Sequence, residues 1–128
     1  SKKLIGIYLK KKTEGIKMDA KEFLTQFNED LGKMKTHAGN AVGAFGNMFG
    51  KTMGEGALSV KQKELIALGI ALAVQCEPCI ILHVKKCLDA GASKEEMIDA
   101  CGVALLMAGG PAYTYLPKVI NAIEELTN

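Results

Sequence analysis

The chain carries two capping boxes, Ser59-Val60-Lys61-Gln62 and Ser93-Lys94-Glu95-Glu96, each just ahead of an apolar run. In such a box the Ser side chain and the Gln or Glu three residues on satisfy each other's backbone N–H groups, so each box marks a helix start. The helix opened by the first box holds Leu65, Ile66, Leu68, Leu72 and Val74. It is apolar nearly all round and should be buried. The chain then breaks near residues 75–77, and Pro78 suits the first turn of a new helix. That helix runs to about Ala90 and stops at Gly91. The second box opens a helix with Met97, Ile98, Cys101, Val103, Ala104, Leu105 and Met107. Gly109-Gly110-Pro111 ends it and begins a last helix with the stripe Val119, Ile120, Ile123 and Leu126.

Upstream, helical spacing begins at Asp19, with Phe23, Leu24, Phe27, Leu31 and Met34 at three- and four-residue steps. Gly39, Gly43, Gly46, Gly50 and Gly54 continue that spacing. Alone such a helix is poor, since each Gly costs about 1 kcal/mol against Ala. A glycine row also lets another helix approach closely, so a helix is expected here, with Met48, Phe49 and Met53 near a pocket or subunit contact. Residues 1–18 carry six Lys against one Glu around the short apolar run Leu4 to Leu9. They read as a solvated basic arm or an edge strand. No strand pattern competes elsewhere, so the expected fold is all-α: about six helices in a domain over 19–128, with the basic N-terminal arm at 1–18.

At 128 residues the chain is one domain by size. It can bury roughly two-thirds of its unfolded surface. Small apolar side chains make small contacts, so subunit association is expected to supplement the core. The net charge is only +2, and all sixteen basic residues are Lys. Without Arg the bidentate readers of bases and phosphates are missing, so no nucleic-acid partner is expected. The apolar runs at residues 4–9 and 66–74 are too short to span a bilayer, and no signal-peptide pattern appears. The expectation is a soluble, cytoplasmic protein with no membrane partner. In that compartment a CxxC pair points to catalysis or metal binding rather than a structural disulfide.

That pair is Cys76-Glu77-Pro78-Cys79, followed by His83. The thiolate is the reactive form of Cys, and a helix N-terminus lowers the thiol pKa. Pro78 puts both thiols in that zone. Across one turn their Cα atoms lie roughly 5–6 Å apart, which suits a disulfide that opens and closes with little backbone motion. His83 shares a helical face with Cys79 and can take or give a thiol proton. Glu64 sits in the first turn of the preceding helix, and spacing alone does not carry it to the thiols. Glu77 is expected to point to solvent. Cys79, His83 and Cys87 lie on one stripe, which raises zinc as an alternative. Cys79 and Cys87, however, are about 12 Å apart along the helix, too far for one ion to take all three, so zinc would take Cys76, Cys79 and His83, or His83 and Cys87, with a remote fourth ligand such as Cys101. Cys87 and Cys101 read as small buried hydrophobes. No resident metal or cofactor is expected beyond the thiol pair.

Three stretches carry a family resemblance. They are Glu55 to Ser59 with Lys63-Glu64-Leu65, then Cys76-x-x-Cys79-x-x-x-His83, then Asp89-Ala90-Gly91-Ala92-Ser93-Lys94-Glu95-Glu96. Together they resemble the carboxymuconolactone decarboxylase and alkylhydroperoxidase D-like superfamily, over about residues 55–116. The resemblance implies a helical fold that assembles into homotrimers or homohexamers. It implies that Glu64, Cys76, Cys79 and His83 converge as a proton relay. It also makes Cys79 the thiol that attacks peroxide and Cys76 the thiol that resolves the sulfenic acid, where the helix dipole alone would have chosen Cys76. In one place the chain departs from the best-studied peroxidase members, which carry a second His where Pro78 stands.

The leading expectation is therefore a thiol peroxidase or thiol–disulfide oxidoreductase. Its substrate is a hydroperoxide or a disulfide, and an external thiol or dithiol protein recycles the pair. A decarboxylase-type lyase is the first alternative, weakened by the intact Cys pair and the absence of Arg for carboxylate recognition. A zinc-binding or structural helical oligomer is the second.

Overall fold

Both capping boxes form where the sequence places them. Ser59 Oγ accepts from the Gln62 N–H at 3.1 Å, while Gln62 Oε1 accepts from the Ser59 N–H at 2.9 Å. Ser93 and Glu96 make the same reciprocal pair, each bond at 3.0 Å. In the computed structural model, which describes residues 1–14 and 19–128, these boxes open α3 (Val60–Ala73) and α5 (Lys94–Ala108). Between them lies α4 (Glu77–Asp89), and α6 (Gly110–Thr127) closes the chain. Ahead of them are α1 (Lys2–Glu14) and α2 (Ala20–Met53). The described residues hold six helices and no strand, so the fold is all-α.

Helix α3 packs on both α4 and α5, and α6 lies against all three. Their shared interior is built from Leu68 and Leu72 of α3, Ile80 and Val84 of α4, Met97 and Cys101 of α5, and Val119 and Ile123 of α6. All eight are essentially inaccessible to water. Each fully buried large aliphatic side chain contributes about 1.5–3 kcal/mol, so these four helices form the stable frame that carries the thiol pair. The turns between them are tight for a local reason. Gly91 (φ 85°) ends α4 and Gly109 (φ 71°) joins α5 to α6, both in a backbone region that L side chains disfavour.

The glycine-rich stretch is helical, and it is continuous with the helix that starts after Asp19. Asp19 caps α2 by accepting from the Glu22 N–H at 2.8 Å. The first half of α2 packs on the core through Ala20, Phe23 and Leu24. At Ala38 the backbone leaves helical geometry (φ −137°, ψ 43°) and α2 kinks. Beyond the kink, a Cβ added at Gly39, Gly43, Gly46 or Gly50 would meet nothing within 4 Å. The close helix approach that the glycines suggested is therefore not made within the chain.

Part of the basic segment at 1–18 falls outside the described residues. Within them, residues 2–14 form α1 rather than an edge strand. No strand exists among the described residues for it to pair with, and Leu and Lys are good helix formers. Leu4, Ile5, Ile7 and Tyr8 are all exposed on it.

Candidate active site

Helix α3 ends in a Schellman motif. The Gln75 N–H donates to the Leu72 carbonyl at 3.1 Å, and the Cys76 N–H to the Ala71 carbonyl at 3.1 Å. Such a motif needs a left-handed residue, normally Gly. Here it is Gln75, with φ 57°, the only non-glycine at positive φ among the described residues. An L residue in that region costs about 1–2 kcal/mol. Its side-chain amide reaches across to donate to the Pro111 carbonyl at 3.2 Å.

Cys76 is thus both the last residue of the α3 motif and the N-cap of α4. Its Sγ accepts from the Cys79 N–H at 3.3 Å. Pro78 lies in the first turn, as expected. Cys76 and Cys79 form a disulfide, with Cα atoms 5.2 Å apart, inside the range the helical spacing dictates. Glu77 does not point freely to solvent. Its Oε2 accepts from Lys118 Nζ at 2.9 Å, because the first turn of α4 packs on α6.

Seven residues into α4 from Cys76, or roughly 10 Å along the axis, His83 meets Glu64. His83 Nδ1 and Glu64 Oε2 are 2.8 Å apart. The meeting is set by how α3 lies along α4. With α3 and α4 running back along one another, Glu64 lies too far from the break to reach the thiols directly, but it reaches the turn of α4 that holds His83. Glu64 is only 4% exposed, the one buried charged residue among those described. The Glu64–His83 pair lies one helical turn below Cys79, four residues along α4.

The face of His83 is covered by a residue from α2. The Phe49 ring stacks on the imidazole with centroids 6.1 Å apart and planes at 22°. Lys86 Nζ sits 3.8 Å from the Phe49 centroid, a cation–π contact. Lys63 Nζ donates to the Thr52 and Gly54 carbonyls at 2.8 and 2.6 Å and so fixes the end of α2 beside the Glu64–His83 pair. Of the residues placed near a pocket by the glycine-helix reading, Phe49 lies at the site, Met53 is half-buried and Met48 is exposed.

Cys87 and Cys101 are free and buried, as read from the sequence. Burial, then the Glu64 carboxyl, then Cys101 push the Cys87 thiol up to about 12. Burial pushes Cys101 to about 11. Both are held as thiols and are poor nucleophiles. Among the described residues no three His, Cys, Asp or Glu side chains group so as to hold a metal ion.

Sequence reasoning singled out Glu64, Cys76, Cys79 and His83. The structure brings Glu64 to His83, joins Cys76 to Cys79, and sets the two pairs one turn apart on α4. Reading the residues alone missed Lys118 and the left-handed Gln75. No local signal marks Lys118. A Gln where a helix-ending Gly belongs was the available sign for Gln75.

A helical hairpin with a disulfide at its turn and a buried Glu–His pair beneath it is the class of site this fold presents. The carboxymuconolactone decarboxylase family model matches residues 40–122. The chain belongs to that family. A carboxymuconolactone decarboxylase family protein from Legionella pneumophila has a similar structure, with a TM-score of 0.81 and 29% identity over 85% of this chain and 97% of that one. A family member from Thermotoga maritima, for which a part in antioxidative response has been suggested, gives a TM-score of 0.74 at 28% identity, over 82% of this chain and 89% of that one. An uncharacterised protein of Cupriavidus necator is 28% identical over 84% of this chain and 96% of its own length.

Proposed function

We propose that the chain is a thiol peroxidase that also exchanges disulfides, with Cys79 as the attacking thiol and Cys76 as the resolving one. The observation that carries this reading is the Cys76–Cys79 bridge across the first turn of α4, with the Glu64–His83 pair a turn below. The Cys79 thiolate attacks the distal oxygen of a hydroperoxide. An S–O bond forms, the O–O bond breaks, and the alcohol leaves with a proton passed through His83. Cys76 then attacks the sulfenic sulfur. The S–S bond forms and water leaves, again taking a proton. An external thiol or dithiol protein returns two electrons and two protons and reopens the bridge. The alternative, a lyase that does not use the thiols, has no particular observation in its favour.

The same reading has copies of the chain associating as a homotrimer or homohexamer. Between α3 and α5 runs an apolar groove of about 340 Å³, lined by Ile66, Gly69, Ile70, Val103 and Met107 among others. Beyond its kink α2 leaves Phe45, Met48 and the glycine row uncovered. A second copy brings to the first the apolar surface and the close-approach face that neither covers for itself.

The test treats reduced protein with one equivalent of an organic hydroperoxide and maps the thiols by peptide mass spectrometry. A fast Cys76–Cys79 disulfide, reversed by dithiothreitol and lost in Cys79→Ser, supports the reading. Survival of both thiols overturns the peroxidase.

A further inference from the structure

The residues on either side of Cys76 both reach α6. Gln75 Nε2 donates to the Pro111 carbonyl at 3.2 Å. Glu77 Oε2 accepts from Lys118 Nζ at 2.9 Å. Pro111 and Lys118 are seven residues apart, two turns of one helix, and so lie on the same face of α6. Cys76 is therefore held between two tethers to a single surface.

The chain supplies its own control for Gln75. Helix α4 closes with the same motif as α3. The Gly91 N–H donates to Leu88 and the Ala92 N–H to Cys87, at 3.0 and 2.9 Å. There the left-handed position is Gly91, which adopts it without strain. At the equivalent position of α3, next to the thiol, stands a long side chain that disfavours that backbone region. Gln75 is exposed, so core packing does not account for it. What it adds over Gly is the reach to Pro111. Glu77 poses a similar question, because an acid beside a thiol site opposes thiolate formation. Lys118 neutralises it and draws it onto α6.

We infer that Gln75 and the Glu77–Lys118 pair are positioning residues that clamp Cys76 against α6 and so set the dithiol–disulfide equilibrium of Cys76 and Cys79. The inference rests on the reading of these thiols as the redox pair. With the clamp in place, the reduced Cys76 stays near the backbone position it holds in the disulfide, and closing the bridge costs little conformational entropy. With the clamp cut, Cys76 gains freedom only in the reduced state, and the disulfide becomes easier to reduce.

The experiment equilibrates the full chain in buffers of stepped reduced-to-oxidised glutathione ratio at pH 7. Acid quenching, alkylation and peptide mass spectrometry then give the oxidised fraction. In this exchange the glutathione disulfide breaks, the Cys76–Cys79 bond forms, and two electrons with two protons yield two glutathione thiols. The variants are Gln75→Asn, Gln75→Gly, Lys118→Met and the double change Gln75→Asn with Lys118→Met. Asn tolerates the left-handed backbone but is one methylene shorter, while Gly removes the strain altogether. Each Gln75 variant is expected to shift the equilibrium about three- to tenfold toward the dithiol, a tenfold shift being about 30 mV, and Lys118→Met to shift it the same way by less, because the Glu77 charge it uncovers disfavours the thiolate of the reduced pair. The double change is expected to shift it further. The melting temperature of oxidised Gln75→Gly is expected to hold or rise. If the wild type titrates reversibly and no variant moves it more than twofold, or if melting falls with no shift in the equilibrium, the clamp is overturned and the redox pair stands. If the wild-type pair does not exchange reversibly with glutathione at any ratio, the redox pair and the clamp both fall.

Discussion

Glu64 is the one buried charged residue among those described, and its hydrogen bond to His83 offsets the cost of burying it. In the proposed mechanism its carboxyl fixes the proton on Nδ1 and leaves Nε2 for exchange. Glu64→Gln keeps the volume and loses that control. Peroxide-driven oxidation of the thiols, followed by stopped flow, is expected to slow about 10²-fold, with the fold intact by circular dichroism. Cys87 and Cys101 give a different test. Burial holds them protonated to about 12 and about 11, against an ordinary value of 9.0. An unfolded chain releases both protons near pH 9, whereas the native chain keeps them. Their contribution is full below pH 9 and is lost as the pH climbs toward 11–12. Thermal melts from pH 8 to 11 are expected to fall, with a shallower slope in Cys87→Ala. In the native protein at pH 8 neither thiol is expected to react with iodoacetamide.

Among the elements, α3 to α6 were readable because their ends are written locally. The capping boxes, Pro78, Gly91 and Gly109 each act within a turn or two of themselves, and the structure keeps every one. Ser59→Ala is expected to cost about 1 kcal/mol, measured as a lower urea midpoint with an unchanged slope. What local signals could not supply was register across helices. Glu64 and His83 are nineteen residues apart, and their meeting depends on how α3 lies along α4. Lys118 comes to Glu77 from forty-one residues away. The edge strand was a weak reading of residues 4–9, since a short apolar run fits either period and no partner strand was in sight. Phe49 could be placed near a pocket from its spacing, but its stacking on His83 depends on the course of α2 beyond the Ala38 kink.

At the scale of the whole molecule, the apolar surface is unevenly covered. Ile66, Ile70, Val74, Val103, Leu106 and Met107 are at least half exposed along α3 and α5. Patches of this kind mark interaction sites in soluble proteins. Light scattering is expected to give a mass several times the 13.7 kDa of one chain. Ile70→Glu combined with Val103→Glu is expected to lower it toward that value. No helix among the described residues is long and apolar enough to cross a membrane. The far half of α2 is then a gauge of assembly. Its four glycines make it a weak helix, and no neighbouring element of the same chain covers them. In a lone chain the backbone amides of residues 39–48 should take up deuterium almost as fast as a peptide. Slow uptake there would report that another copy has settled on them, without reference to any catalytic assay.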